Sequence, residues 1–252
     1  MNEILQVAMF AGQMILENGG ETYRVEETIW RICKIYGADE AESFATPTGI
    51  MASICHQGKT YSLTRRVSNR TVNLDKIDKV NDLSRSIQSK KLSVSDFKRE
   101  LDKINNLNTY SFLIVILFSG LAAGSFSILF GGNFKDAFSA FLIGLVIKGL
   151  ALKWRDVGIN TFFINSICGG ITALLAIIFF KLGISSQINQ TIIGSIMLLV
   201  PGLAITNAIR DTMSGDLLSG IIRASEAFLV AISIAVGTGA VLSFWISNLG
   251  GV

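Results

Sequence analysis

The sequence predicts an integral membrane protein in two parts. An α+β N-terminal domain spans residues 1–108, and a bundle of five transmembrane α-helices spans residues 109–252. Three observations carry this expectation. Charge is split unevenly: residues 1–108 hold 15 of the 22 Lys and Arg and 14 of the 19 Asp and Glu, leaving 7 and 5 for the remainder. The second part contains four long stretches without Asp, Glu, Lys or Arg, from Ile104 to Phe134, Val157 to Phe180, Leu182 to Ile209 and Ala227 to Val252. The first part instead shows short amphipathic segments punctuated by glycine. The whole chain is half apolar and only 16% charged, against about 25% for an ordinary soluble domain. Its net charge of +3 is that of many basic membrane proteins and calls for no nucleic acid.

Within the N-terminal domain, the apolar residues Ile4, Leu5, Ala8, Ala11 and Ile15 recur at helical spacing and predict a helix over 3–18. Gly19–Gly20 ends it. A second helix over 22–36 places Val25, Ile29, Ile32 and Tyr36 on one face and stops at Gly37. Residues 42–56 and 59–67 read as two strands around a turn at Gln57–Gly58. Two charged helices follow over 74–89 and 95–107, the second with Ser95 as its expected N-cap. No secretory signal is expected, because Met1–Gly19 carries Glu3, Gln6, Gln13 and Glu17 and lacks a basic start.

A spanning helix needs about 20 apolar residues. The expected spans are 110–130, 137–152, 159–180, 191–209 and 221–245, the second being short and interrupted by Lys148. Continuous rather than alternating apolarity excludes a β-barrel for these segments. Lys90, Lys91, Lys98, Arg99 and Lys103 precede the first span and predict a cytoplasmic N-terminal domain. Five spans then put the C-terminus, Gly251–Val252, outside, in a multi-pass protein of the cell membrane in contact with lipid.

Catalytic chemistry finds little support. His56 is the single histidine, and on a strand it points away from its neighbour Cys55. Cys33, Cys55 and Cys168 have no CxxC spacing, so no zinc site is expected. No GxxxxGK[ST] loop is present, so no nucleotide cofactor is expected either. Glu17, Glu21, Glu26 and Glu27 gather at the start of the second helix, where acids favour the helix dipole; capping and solvation is the simpler reading of them.

The informative stretch is LLVPGLAITNAIRDTMSGDLLSG, Leu198–Gly220. Pro201–Gly202 falls near the middle of the fourth span. Proline removes a donor and clashes with the carbonyl four residues back, and broken helices at membrane depth are tolerated mainly where they line a cavity. Asn207, Arg210, Asp211, Asp216, Arg223 and Glu226 follow. Glu226 lies one turn inside the fifth span and is read either as paired with Arg223 and snorkelling or as a proton-coupling carboxylate. Asn160 and Asn165 open the third span, as helix glue or as solute contacts. Gly120 and Gly124, Gly169–Gly170, and Gly237 with Gly239 read as close packing sites, and Lys148 as a snorkelling side chain.

Two segments carry a family resemblance. ENGGETYRVEETIWRICKIYG with FATPTGIMASI, and LLVPGLAITNAIRD with SGDLLSGIIRASEA, resemble the two signatures of the threonine/serine exporter (ThrE-like) family. The matching positions are Gly20, Glu21, Thr22, Tyr23, Arg24, Val25, Glu26, Thr46, Pro47, Thr48 and Gly49, then Pro201, Gly202, Asn207, Asp211, Gly215 and Gly220. The resemblance implies the shorter, YjjP-like branch, in which a second small membrane subunit (YjjB-like, about five helices) completes the transporter. Further copies of the chain are compatible with it. It implies a secondary transporter subunit that exports small polar metabolites, either amino acids of the threonine/serine type or dicarboxylates such as succinate. On that reading Pro201–Gly202 opens the path, Asn165 and Asn207 bond the solute, Arg210 or Arg223 attracts a carboxylate, and Asp211 or Glu226 couples protons. A membrane-anchored hydrolase and a non-transporting scaffold or sensor subunit are the rival readings.

Overall fold

A computed structural model describes residues 1–107 and 110–249. In chain order the elements are α1 (Asn2–Glu17), α2 (Thr22–Ile35), β1 (Glu40–Thr46), β2 (Gly49–His56), β3 (Lys59–Arg66), α3 (Leu74–Lys90), α4 (Val94–Asn105), α5 (Phe112–Leu129), α6 (Phe134–Asp156), α7 (Thr161–Lys181), α8 (Ile188–Ile196), α9 (Gly202–Met213) and α10 (Leu217–Leu249). They form two compact units, Met1–Asn108 with Gly202–Ser225, and Thr109–Pro201 with Glu226–Val252. The expected boundary near 108 and the expected C-terminal end at Gly251–Val252 lie outside the described residues.

In the first unit, α1 and α2 form a hairpin that covers one face of an antiparallel meander, β1–β2–β3. The core joins Leu5, Met9 and Ile15 of α1, Ile29 and Ile32 of α2, and Ile50 and Ile54 of β2. Alternation along β2 turns Ile50, Ala52 and Ile54 inward and leaves Met51, opposite Phe44 of β1, on the other face. Gly12 lets α1 and α2 meet, since a Cβ there would sit 2.7 Å from Ile29. Val80 and Ile87 of α3 and Phe97 and Leu101 of α4 extend the same core.

The expected strand over 42–56 is two strands. Pro47 has no N–H to give a ladder and fixes its own φ, so the chain turns at Pro47–Thr48 and pairs Thr46 with Gly49. The cap of α4 is Ser93, whose hydroxyl accepts from the Asp96 N–H at 3.1 Å, rather than Ser95.

Among the described residues four helices, α5, α6, α7 and α10, are long and apolar enough to cross a membrane by length and composition. The expected span over 191–209 is not one helix. It ends as α8 at Ile196, and helix resumes only at Gly202, immediately after Pro201. The missing N–H and the ring of Pro201 account for the interruption. α6, expected to be short, runs 23 residues.

Small residues set the packing of the second unit. Gly124 of α5 approaches the Ala137 carbonyl of α6, and Gly144 of α6 approaches Ala123 of α5. Gly169 of α7 meets Ile234 of α10, and Gly237 of α10 meets the backbone of Ser166. A methyl group at Gly239 would have no neighbour within 4 Å, so that glycine is not a packing site. Asp136, fully buried at the start of α6, gathers the N–H groups of Asn133, Ser186 and Gln187 and the Ser185 hydroxyl, and so fastens the approach to α8.

Candidate functional site

The two signature segments meet in the first unit. α1 ends at Asn18, and Gly19 follows at φ +94, a left-handed conformation natural to glycine. The Gly19–Gly20 turn leaves backbone carbonyls facing α9 and the start of α10. Asn207 donates its side-chain amide to the Gly19 carbonyl at 2.8 Å. Arg223 Nη2 donates to the Gly20 carbonyl at 2.8 Å, and its Nε lies 2.9 Å from Asp211 Oδ2. Asp211 Oδ1 accepts the Thr22 N–H at 3.3 Å, one of the donors that a helix start leaves unpaired. The Thr22 hydroxyl donates to Asp216 Oδ2 at 3.0 Å.

The turn between α9 and α10 repeats this device. Gly215, at φ +94, closes α9 and lets the Asp216 N–H return to the Asp211 carbonyl at 2.9 Å. Gly220 allows α10 to approach α9, since a Cβ there would collide with Thr212. The result is a buried polar cluster. Asp211 is fully enclosed and Arg223 is 6% exposed. Such a pair is tolerated only when well bonded. Here each partner faces the other and also holds a backbone group, the Thr22 N–H or the Gly20 carbonyl.

Glu21, the N-cap of α2, pairs with Arg24 at 2.7 Å and with Arg210. Beside them a cleft of about 590 Å³ opens, with Arg24, Asp75, Asp78, Asn81 and Arg210 on its walls. Burial pushes the Glu21 carboxyl up, but hydrogen bonds from Arg24, its own backbone N–H and Arg210 outweigh burial and hold it below the ordinary value. Glu26 goes the other way. Burial pushes its carboxyl up, the Ala45 N–H at 2.8 Å offsets part of this, and Asp216 and Asp211 add repulsion.

These opposite shifts give opposite pH behaviour. A depressed acid stabilises the fold above its unfolded pKa, and that contribution is lost as the pH falls below about 4.5 through the folded value. A raised acid contributes stability at low pH that is lost as pH rises through its folded value. Glu21→Gln should therefore lower the melting temperature at pH 7 and lose that effect on acidification. Glu26→Gln, which keeps an acceptor for Ala45, should be neutral or stabilising at pH 7. Thermal melts of both variants between pH 3.5 and 7.5 check this, and parallel curves for the two would contradict it.

Of the other expected head residues, Thr46 and Thr48 face each other at 3.3 Å in the β1–β2 turn and take no part in the cluster. Ser219 reaches the adjacent Ala45 carbonyl at 3.4 Å. Gly202 opens α9 with open space around it. Of the residues expected along a membrane path, Asn207, Arg210, Asp211 and Arg223 pack with the N-terminal residues, whereas Asn165, Pro201 and Glu226 belong to the second unit.

The second unit has its own cavity, of about 300 Å³, with mostly apolar walls into which Lys148 and Arg155 of α6 and Thr161 and Asn165 of α7 bring polar groups, and with Leu199 and Pro201 at the helix break. It lies at the lower edge of the roughly 300–1,000 Å³ usual for small-molecule sites. Reading Lys148 as a snorkelling side chain misses its part in this cavity. The signal is present in the chain: Lys148 and Arg155 are seven apart and so share one helix face. Among the described residues no group of His, Cys, Asp and Glu is arranged to hold a metal.

Four helices long and apolar enough to cross a membrane, among the described residues, together with an α+β unit mark the class of membrane proteins. The model of the family described as "Putative threonine/serine exporter" matches residues 6–245, and the chain belongs to that family. It is similar to the "Probable succinate transporter subunit YjjP" of Klebsiella aerogenes, 25% identical over 240 residues that cover 92% of this chain and 90% of that one. The protein of the same name from Escherichia coli is 25% identical over 249 residues, covering 96% and 94%. The "Threonine/serine exporter" of Corynebacterium glutamicum is 26% identical over 178 residues, 69% of this chain and 36% of its own length. No solved structure matches the chain.

Proposed function

We propose that the chain is one subunit of a secondary transporter that exports small polar carboxylate-bearing metabolites, dicarboxylates such as succinate or amino acids such as threonine and serine. The similarity to a succinate transporter subunit along nine-tenths of both chains carries this reading. A second, separate membrane subunit completes the path, as the word subunit in the relatives' name suggests. The N-terminal domain faces the cytoplasm, the five apolar segments lie in the cell membrane with the fourth broken at Pro201, and the C-terminus faces outside. The proton gradient drives transport.

In this reading the cluster of Asn207, Asp211, Asp216 and Arg223 on the Gly19–Thr22 turn couples the cytoplasmic domain to α9 and α10. Glu226 and Asp211 are the proton-coupling candidates. The scaffold or sensor reading draws on one observation, that four residues expected in the path bond or pack within the first unit instead. Efflux decides between them. Cells loaded with succinate, threonine or serine should lose one of these more slowly, by several-fold, when this gene is deleted, and recover when it is restored with its partner. Equal efflux of all three with and without the gene would overturn the transporter reading.

A further inference from the structure

Lys148 lies near the middle of α6, a helix long and apolar enough to span a membrane. An ionisable group at such a place is costly, about 2.5–3.5 kcal/mol on insertion scales, and is retained where it meets a partner or a polar cavity. Among the described residues, no hydrogen bond or ion pair engages Lys148, and none engages the side chain of Asn165. Asn165 is only 8% exposed, yet it borders the same cavity as Lys148. Its amide is therefore free to bond a group held in that cavity.

The composition of the walls narrows the class of ligand. Two cationic side chains, Lys148 and Arg155, and two neutral hydrogen-bonding ones, Thr161 and Asn165, face a space that no carboxylate among the described residues lines. The larger part of the wall is apolar, with Ile147, Leu152, Ile164, Leu198 and Val230 among its residues. Fixed positive charge with neutral donors selects an oxyanion, and an apolar wall beside it accommodates a short hydrocarbon.

We propose that this cavity is a binding subsite for the carboxylate of a small aliphatic acid, with Lys148 as its charge partner and Asn165 as its neutral donor. This deepens the transporter reading and rests on it for the identity of the cargo. Arg155, at the exposed end of α6, draws the anion toward the cavity, and the Pro201 break forms part of its wall. The phosphate of an acidic lipid offers the same chemistry, so the test separates the two sources.

The full-length chain, purified in an uncharged detergent, is titrated calorimetrically with succinate, with threonine and with the uncharged 1,4-butanediol. At least one carboxylate should bind and the diol should not. Lys148→Gln should weaken that binding about tenfold or more, as expected for loss of a charged partner. Lys148→Arg should retain it within a few-fold, and Asn165→Leu should weaken it with its melting temperature unchanged. Equal binding to Lys148→Gln and wild type, or no carboxylate binding at all, overturns the subsite. Binding abolished by added phosphatidylglycerol and restored by no carboxylate overturns it in favour of lipid. Efflux separates this inference from the reading beneath it. Efflux that needs the chain but keeps its apparent affinity in Lys148→Gln cells removes the subsite alone. Carboxylate binding without any efflux dependence removes the transporter reading alone.

Discussion

Asp211→Ala is expected to be the most damaging single substitution in the first unit. It removes the carboxylate that lies 2.9 Å from Arg223, itself only 6% exposed, and it uncaps the Thr22 N–H at the start of α2. Breaking a buried pair from one side costs about 3–5 kcal/mol, a large part of the whole stability of a domain. Arg223→Ala should cost a similar amount, because it leaves Asp211 buried and also frees the Gly20 carbonyl. The double variant Asp211→Ala/Arg223→Ala should cost less than the two singles combined, since each single already removes the contact that the two side chains share. Denaturation of the detergent-purified protein, followed by proteolysis between α1 and α2, measures this. Additive losses would mean that the two side chains do not act as a pair.

The second large effect is expected at Gly237. A methyl group there would fall on the Ser166 carbonyl, which belongs to the backbone of α7 and has no side-chain freedom with which to give way. Helix association within a membrane depends on such close approach of small residues, because lipid is as apolar as the side chains. Gly237→Val should separate α7 from α10 and cost at least about 3 kcal/mol, the upper end for overpacking. Gly237→Ala should cost about 1–3 kcal/mol. Gly239 supplies the control two residues away. With nothing within 4 Å, Gly239→Ala should be neutral or gain up to about 1 kcal/mol through helix propensity. Melting temperatures of the three variants in one detergent test the contrast, and equal losses at 237 and 239 would refute the packing account.

Both results bear on how the fold works. The cluster around Asp211 fixes the start of α2 against the ends of α9 and α10, and the glycine contacts fix α7 against α10. α10 takes part in both, through Arg223 in the first unit and Gly237 in the second.

Much of the fold is legible in the sequence. Glycines at 19–20 and 37 end α1 and α2 where expected, because helix termination is a local matter of backbone conformation. Apolar length locates α5, α7 and α10, and Pro201 announces the interruption before α9. Pro47 carries an equally local signal, yet the run from Glu42 to His56 reads as one strand because its β-propensity outweighs a single breaker. The candidate residues stand out as motif positions, but their grouping is not legible. Hydropathy alone assigns Asn207, Arg210, Asp211 and Arg223 to a span or its edge, and it gives Lys148 no role.

Short windows of sequence suffice to say where the chain is apolar enough for lipid, where its helices stop and which polar residues stand out against that background. Hydropathy, the φ of glycine and the missing donor of proline set these properties, and none of them needs a distant residue. The long-range pairings belong to the folded chain alone: Thr22 is capped by a carboxylate 189 residues away, and Gly20 is held by an arginine 203 residues away. A buried charge is stable only beside its counter-charge, and nothing local in the chain says which distant partner the fold will bring to it.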